Sequence, residues 1–391
     1  MSARTLLVAH PSPDLYGSDR QLLETITAAV GGGWRVVVVL PMSGPLVPLL
    51  EERGARVEVV DHPVLRKALL RPAQLVRLPW RMLAATVRLR RLVRRVDPAL
   101  VYVNTVTIPE WVLAARLARR PVVCHVHEAE DGHPGLVRRA LAAPLLLSRS
   151  VIANSAAARD AVTDVVPRLA TSVVVVHNGM PGPAEGPAPL RERAPGDPAR
   201  LALVARLSPR KGIDVALEAT ALLTAAGRDV TLTVCGTVFP GYEWFEEELR
   251  ARAGRPDLAG RVTLAGYVHP TWPELASADV VLVPSRLEPF GNTAVEAMLA
   301  RRPVVATRVQ GLAEVVDDGR TGLLVPPGDA AALADAVASL LDDPARAHAL
   351  AAAGRAEADL RFTAERYGDA VLAVLAGATG HTVEAVARPG S

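Results

Sequence analysis

The amino-acid sequence predicts an α/β protein made of two doubly wound parallel-sheet domains. Short β-branched runs alternate with helix-length segments along the whole chain, the pattern of parallel strands joined by crossover helices. The 391 residues exceed what one ordinary core holds. Between the two series of runs, Met180 to Ala199 carries six prolines and three glycines, the composition of a domain boundary.

In chain order, the amino-terminal strands are expected at Thr5–Ala9, Trp34–Leu40, Arg56–Val60, Leu100–Val103, Val122–Val126, Val151–Ala153 and Val173–Val176. Each is short, apolar and rich in β-branched side chains, as strands buried on both faces require. After the boundary they resume at Leu201–Ala205, Val230–Cys235, Val262–Ala265, Val280–Val283 and Val304–Ala306. Ala330–Leu341, Ala345–Leu360 and Thr363–Leu375 are too long for strands and read as closing helices. The domains are thus set at 1–180 and 200–362, with a linker at 181–199, a carboxyl-terminal helix at 363–376 and a flexible tail at 377–391.

Half the residues are hydrophobic and 4% aromatic, which suits an Ala/Val/Leu core. Cys124 and Cys235 lie far apart inside apolar strands and read as reduced core thiols, so a cytoplasmic setting is expected. Thr5–Ala9 is too short for a signal core. Val36 to Leu50 is apolar but carries Pro41, Pro45 and Pro48, which argues against a membrane span. A net charge of +3 without interleaved stacking aromatics argues against nucleic acid as a partner.

Glu288-Pro-Phe-Gly-Asn-Thr-Ala-Val-Glu296 places two carboxylates eight residues apart, between the strand Val280–Val283 and a helix opening at Thr293 and running through Arg301. A strand end, a Pro289/Gly291 turn and a helix start offer backbone N–H groups to an anion and carboxylates to hydroxyls, the needs of a nucleotide sugar. The structural alternative is that Thr293-x-x-Glu296 is only a capping box. A second strand-to-helix turn, Arg206-Leu-Ser-Pro-Arg210-Lys211-Gly212-Ile-Asp214, carries cations suited to a diphosphate. Of 44 Lys plus Arg residues only Lys67 and Lys211 are lysine, so a lysine here is unlike filler.

These two blocks resemble the retaining GT-B glycosyltransferases of family 4, whose hallmark is Glu-x7-Glu with Phe-Gly after the first Glu. The resemblance covers residues 200–330 best. It implies two Rossmann-like domains facing a central cleft, with Glu288 on donor-sugar hydroxyls and Glu296 on the ribose. It also implies Arg206 and Lys211 on the donor diphosphate, and Pro289, Phe290, Gly291, Asn292 and Thr293 along the donor. Two segments depart from the family's glycine patterns, Gln310-Gly311-Leu-Ala-Glu314 and Gly236-Thr-Val-Phe-Pro-Gly241.

The amino-terminal half adds weaker signals. His10-Pro-Ser-Pro-Asp-Leu-Tyr16-Gly17-Ser18-Asp19-Arg20 follows the first strand, and Gly17 there allows close backbone approach to donor. No G-x-G-x-x-G fingerprint is present. His125-Val-His127-Glu128 ends a strand, with both histidines on one face; by resemblance His127 stands beside the sugar, and a metal pair is the other reading. Asn178-Gly179 suits a tight turn and recurs in the family at the cleft. From His62 to Val96 there is no Asp or Glu but ten Arg or Lys, with Leu75, Leu78, Met82, Leu89, Leu92 and Val93 as an apolar side and Trp80 suited to an interface.

The expected function is therefore a retaining, metal-independent, hexosyltransferase-type glycosyltransferase. It takes a nucleoside-diphosphate sugar, such as a UDP-sugar, as co-substrate, with no resident cofactor. The acceptor is a hydroxyl in polysaccharide or lipid-linked glycan assembly, the enzyme being cytoplasmic and peripheral on an anionic membrane surface through residues 66–95. Rival readings are transfer to a small soluble metabolite or aglycone, a glycoside hydrolase with two flanking carboxylates, and a non-catalytic nucleotide-sugar-binding or membrane-surface protein.

Overall fold

A computed structural model describes residues 4–65, 77–129, 134–191, 193–194, 196–239 and 241–380. The chain divides into two compact units, residues 1–179 with 364–391, and residues 180–363. Each is built on one all-parallel sheet. The first has seven strands in the order β3-β2-β1-β4-β5-β6-β7, and the second has six in the order β10-β9-β8-β11-β12-β13.

The strands are β1 (Thr5–Ala9), β2 (Arg35–Leu40), β3 (Arg56–Val59), β4 (Leu100–Val103), β5 (Val122–Val126), β6 (Ser150–Ala153) and β7 (Val173–Val175), then β8 (Ala199–Val204), β9 (Val230–Cys235), β10 (Val262–Gly266), β11 (Val280–Val283), β12 (Val304–Thr307) and β13 (Leu323–Val325). β13 lies outside the sequence expectation. Only three residues long and set at the sheet edge, it carries too little pattern to be told from a loop.

Each sheet runs outward from its first strand, then returns to the other side of it. The reversal falls between β1 and β4 in the first unit and between β8 and β11 in the second. At such a point the loops leaving two adjacent strands diverge, and their carboxyl ends open a space for ligand. Both faces are packed, by one apolar cluster on each side of each sheet.

The segment expected as a linker belongs to the second unit. Arg191 bonds Asp279 at 2.9 Å, and Arg302, 1% exposed, donates to the Ala188 and Pro189 carbonyls, so its proline-rich backbone is held by guanidinium groups. The helix Ala364–Ala378 belongs to the first unit. Tyr367, Val371 and Leu375 enter the same cluster as Leu22 and Ile26 of helix Gly17–Gly31, and Tyr367 Oη meets Thr25 Oγ1 at 2.6 Å. Residues 381–391 lie outside the described residues.

Cys124 and Cys235 are free and buried, and burial pushes the Cys124 thiol up to about 12. Among the described residues no helix is long and apolar enough to cross a membrane.

Glu110, in the first turn of helix Pro109–Leu117, is 0% exposed. Burial pushes its carboxyl up to about 8, only partly offset by its own backbone N–H. The folded chain therefore keeps this proton until pH about 8, whereas the unfolded chain loses it near 4.5. The contribution is complete below 4.5 and is lost as pH rises to 8, by about 1.4 kcal/mol per unit. The buried His62, His125 and His127 act in the opposite sense, but only up to their ordinary value of 6.5. Between pH 6.5 and 8, urea denaturation should show wild-type stability falling while Glu110→Gln stays level; parallel curves would contradict a buried, protonated Glu110.

Candidate active site

In the second unit the two sequence blocks meet at the β8/β11 reversal. The chain leaves β8, forms a single 3₁₀ turn at Pro209–Lys211, and enters helix Ile213–Ala225 through Gly212. Gly212 has φ +67°, and a Cβ there would lie 2.0 Å from the Pro284 carbonyl oxygen, so no other residue lets the two loops come this close. The loop after β11 enters helix Asn292–Leu299 through Gly291, φ +113°.

Lys211 Nζ and Glu288 Oε2 form an ion pair across 77 residues of sequence, with side chains 17% and 13% exposed. Ser285 Oγ donates to the same carboxylate at 3.3 Å, and the Glu288 N–H donates to Gln310 Oε1 at 2.9 Å. Arg286 clasps the loops together, donating to both Asp214 carboxylate oxygens at 2.8 and 2.7 Å and to the Pro209 carbonyl at 2.7 Å. Ser285, Arg286, Asp214 and Gln310 were not singled out from sequence for these roles. The partners of Arg286, Asp214 and Gln310 are distant in the chain, and Ser285, three residues from Glu288, is marked by no local pattern.

Burial first, then Arg210 and Arg206, pull the Lys211 ammonium below its usual range, while Glu288 holds it up. Arg206 lies over the Phe239 ring, its Cζ 3.7 Å from the centroid. Lys211 thus lies in the field of two further cations, a setting that suits an anionic ligand.

One expectation for this block is corrected. Thr293 does not cap a helix. Gly291 occupies the cap position, Thr293 lies inside the first turn, and its Oγ1 donates to the Val204 carbonyl at 2.9 Å, so the Thr293/Glu296 capping box is absent. The bond ties the helix to the end of β8 instead. Phe290 is 2% exposed and packs edge-on to Phe362 at 5.7 Å in the core, so its ring is structural; Pro289, Gly291, Asn292 and Glu296 remain at the loop and helix start.

The first unit holds His127, Gly17 and Asn178. Gly17 opens helix Gly17–Gly31. Asn178 is 3% exposed beyond β7, in extended chain rather than the expected tight turn. His125 is fully buried, its Nδ1 2.6 Å from Tyr102 Oη. His127 is half-buried, and its Nε2 is 2.9 Å from Asn104 Oδ1. The imidazoles lie 3.9 Å apart, tilted by 35°, each tied to a different partner. Burial, with a smaller effect of His10, pushes His127 down to about 3, and His125 is also lowered, so both are neutral at physiological pH. Among the described residues no group of three or more His, Cys, Asp or Glu could hold a metal ion.

The comparisons with known proteins agree with this geometry. Residues 16–181 match a family model described as Glycosyltransferase Family 4, and residues 198–343 match one described as Glycosyl transferases group 1. Glycogen synthase of Mycobacterium tuberculosis is 33% identical over 290 residues, 70% of this chain and 68% of that protein. Alpha-D-kanosaminyltransferase of Streptomyces kanamyceticus is 39% identical over 160 residues, and the chain spans 40% of its length. The crystal structure of Anabaena Alr3699/HepE in complex with UDP and glucose superposes with a TM-score of 0.79 at 25% identity, covering 95% of this chain and 99% of that one.

The gathering of cations around Lys211 yields a direct test. Glu288→Gln removes the carboxylate and leaves Lys211 beside Arg206 and Arg210, which should cost about 1–3 kcal/mol. Inorganic pyrophosphate should restore the urea midpoint of this variant and raise it more than it raises wild type. Equal stabilisation of the two would show that the cations do not form one anion cradle.

Proposed function

The chain belongs to the family 4 glycosyltransferases and has their GT-B fold, and from that premise we propose that it transfers a sugar from a nucleoside-diphosphate sugar to a hydroxyl acceptor with retention of configuration. The observation that carries this reading is the cradle at the β8/β11 reversal, where Lys211, paired with Glu288, lies in the field of Arg206 and Arg210. Glycoside hydrolysis needs no diphosphate site and leaves those cations without a role.

In the proposed reaction the bond between the anomeric carbon and the diphosphate oxygen breaks, and negative charge grows on the leaving phosphate. Lys211 and Arg206 stabilise it, in a site already fixed by Gly212 and the Arg286–Asp214 clasp. The acceptor hydroxyl attacks the face that the phosphate leaves, and its proton passes to the departing phosphate oxygen. Glu288 orients the sugar hydroxyls, and Glu296 takes the ribose. A divalent cation is not required in this scheme because the protein's own cations meet the developing charge. UDP is the favoured nucleotide, by analogy with the UDP complex of the structural neighbour.

A thermal-shift screen of nucleotide sugars identifies the donor, since a ligand at a hundredfold its Kd adds about 2.7 kcal/mol of stability. With that donor, Lys211→Ala, Arg206→Ala and Glu288→Ala should each lower turnover by about 100-fold or more. Transfer should persist in EDTA and give a product of unchanged anomeric configuration. Wild-type turnover by Lys211→Ala, or loss in EDTA reversed only by Mg²⁺ or Mn²⁺, would refute the scheme.

The acceptor we propose is lipid-linked and met at an anionic membrane surface. Helix Leu78–Val96 corrects the expected apolar side: Leu89, Leu92 and Val93 are in the core, and Leu78 and Met82 are half-buried. Leu75, with basic residues 66, 67 and 71, lies outside the described residues. The opposite face instead exposes Trp80 at 74%, Leu83 at 56% and Val87 at 43%, with Arg91 and Arg94 on the same side. Arg88 and Arg95 pair with Asp61 and Glu58. An apolar stripe flanked by arginine complements anionic headgroups over acyl chains, each basic residue contributing about 1 kcal/mol. Phosphatidylglycerol vesicles should therefore retain the protein at low salt and release it at high salt, and the triple variant Trp80→Ala, Arg91→Ser, Arg94→Ser should bind at least tenfold more weakly. Failure to bind at low salt would favour a small soluble acceptor.

A further inference from the structure

One chain of hydrogen bonds in the first unit plays no part in the reaction as described. It starts at Asp19, whose Oδ2 accepts the Tyr16 N–H at 2.8 Å and whose Oδ1 lies 2.7 Å from His10 Nε2. Asn104 bridges onward, its Nδ2 3.0 Å from His10 Nδ1 and its Oδ1 2.9 Å from His127 Nε2. Asp19, His10 and Asn104 are 3%, 0% and 1% exposed. His10 and Asn104 stand one residue past the ends of β1 and β4, the pair flanking the reversal, and His127 stands one residue past β5.

The chain has a direction. A carboxylate only accepts, so His10 Nε2 must carry the proton between it and Asp19. The Asn104 amide nitrogen faces His10 Nδ1, and a donor there requires Nδ1 to be a bare acceptor. That leaves the amide oxygen facing His127 Nε2, which must therefore be protonated. His127 Nδ1 is left as a lone pair, buried and without a hydrogen-bond partner. An acceptor stranded in this way is unfavourable, and folded proteins seldom leave one without a use. His125, itself held by Tyr102, packs against the His127 ring at 3.9 Å.

We infer that Asp19, His10 and Asn104 are positioning residues that lock His127 in its Nε2–H tautomer, so that Nδ1 accepts a hydrogen bond from a hydroxyl of the bound sugar. The assignment of a sugar to this position rests on the proposed glycosyl transfer; the tautomer lock does not.

Two isosteric substitutions separate the lock from a merely structural network. In Asp19→Asn the side-chain oxygen must stay on the Tyr16 N–H, which places the new amide nitrogen against His10 Nε2. His10 then carries its proton on Nδ1, Asn104 turns over, and His127 must accept at Nε2 and hold its proton on Nδ1. Asn104→Asp, which can only accept, keeps the proton on His127 Nε2. ¹⁵N NMR of the full-length, histidine-labelled protein reads both outcomes, with the His127 signals assigned by loss in His127→Gln.

The expected result is protonated Nε2 and bare Nδ1 in wild type and in Asn104→Asp, inverted in Asp19→Asn. Turnover by Asp19→Asn with the screened donor should fall at least tenfold, while the wild-type Nδ1 resonance moves on donor binding. A wild-type proton on Nδ1, or an Asp19→Asn spectrum like wild type, overturns the lock. Inversion with undiminished turnover overturns the role toward the sugar and leaves glycosyl transfer standing. Absence of transfer from every nucleotide sugar tested would fail the functional reading and with it the sugar's place at Nδ1, while the NMR result would still decide the tautomer.

Discussion

The second unit is organised around a group of cations that the fold holds in place. Bringing Lys211 close to Arg206 and Arg210 in a partly buried space is unfavourable, and the Glu288 carboxylate offsets part of that cost for Lys211. The arrangement persists because the backbone leaves little choice. Gly212 lets the β8 loop touch Pro284, Arg286 ties both loops to Asp214, and Thr293 fastens the helix after β11 to the end of β8. Each tie crosses the sheet reversal, so packing energy from the core maintains a site that would relax if its charges were free to move. This is the preorganisation on which stabilisation of a leaving diphosphate depends.

The first unit uses the same topology with different chemistry. Its reversal also brings together the ends of strands distant in sequence, but the side chains delivered there are His10, Asn104 and His127, linked to Asp19. Burial keeps His127 neutral at every pH above about 3, so it keeps one donor and one acceptor rather than a charge. A neutral group read by hydrogen-bond direction suits hydroxyl recognition, and a cluster of fixed charges suits phosphate.

Every strand but β13 was legible in the sequence within a residue or two at each end, because parallel strands buried on both faces are continuous apolar runs. The donor block was legible for another reason: Lys211 stands out in a chain that otherwise uses arginine, and Glu288 and Glu296 keep a fixed spacing. What sequence could not supply is partnership. Arg286 and Asp214 are 72 residues apart, and the Asp19 relay joins the start of one helix to three strand ends of the first unit. An amphipathic helix announces that it buries a face but not against what, which is why Leu89, Leu92 and Val93 read as an interface and are core. Thr293, legible as a helix cap, ties its helix to β8 instead, and the Phe290 ring packs in the core. An aromatic or a hydroxyl in a motif is as useful to packing and to backbone ties as to ligand, and only the fold decides between them.

The placement of glutamate and aspartate follows from these demands. Glu288 is a counter-charge that a diphosphate sugar can share, so it sits on a loop with its carboxylate still 13% exposed. Asp19 has the opposite task. It must never change its role as acceptor, so it is buried to 3% and pinned by the Tyr16 N–H at the start of a fifteen-residue helix, where the dipole favours a carboxylate. A charge in that position costs desolvation, and a neutral amide of the same shape would avoid the cost while losing the one property that gives the relay its direction. The choice of a carboxylate over an amide at position 19 therefore makes physical sense if the orientation of His127 matters, and has no evident advantage if the network only fills space.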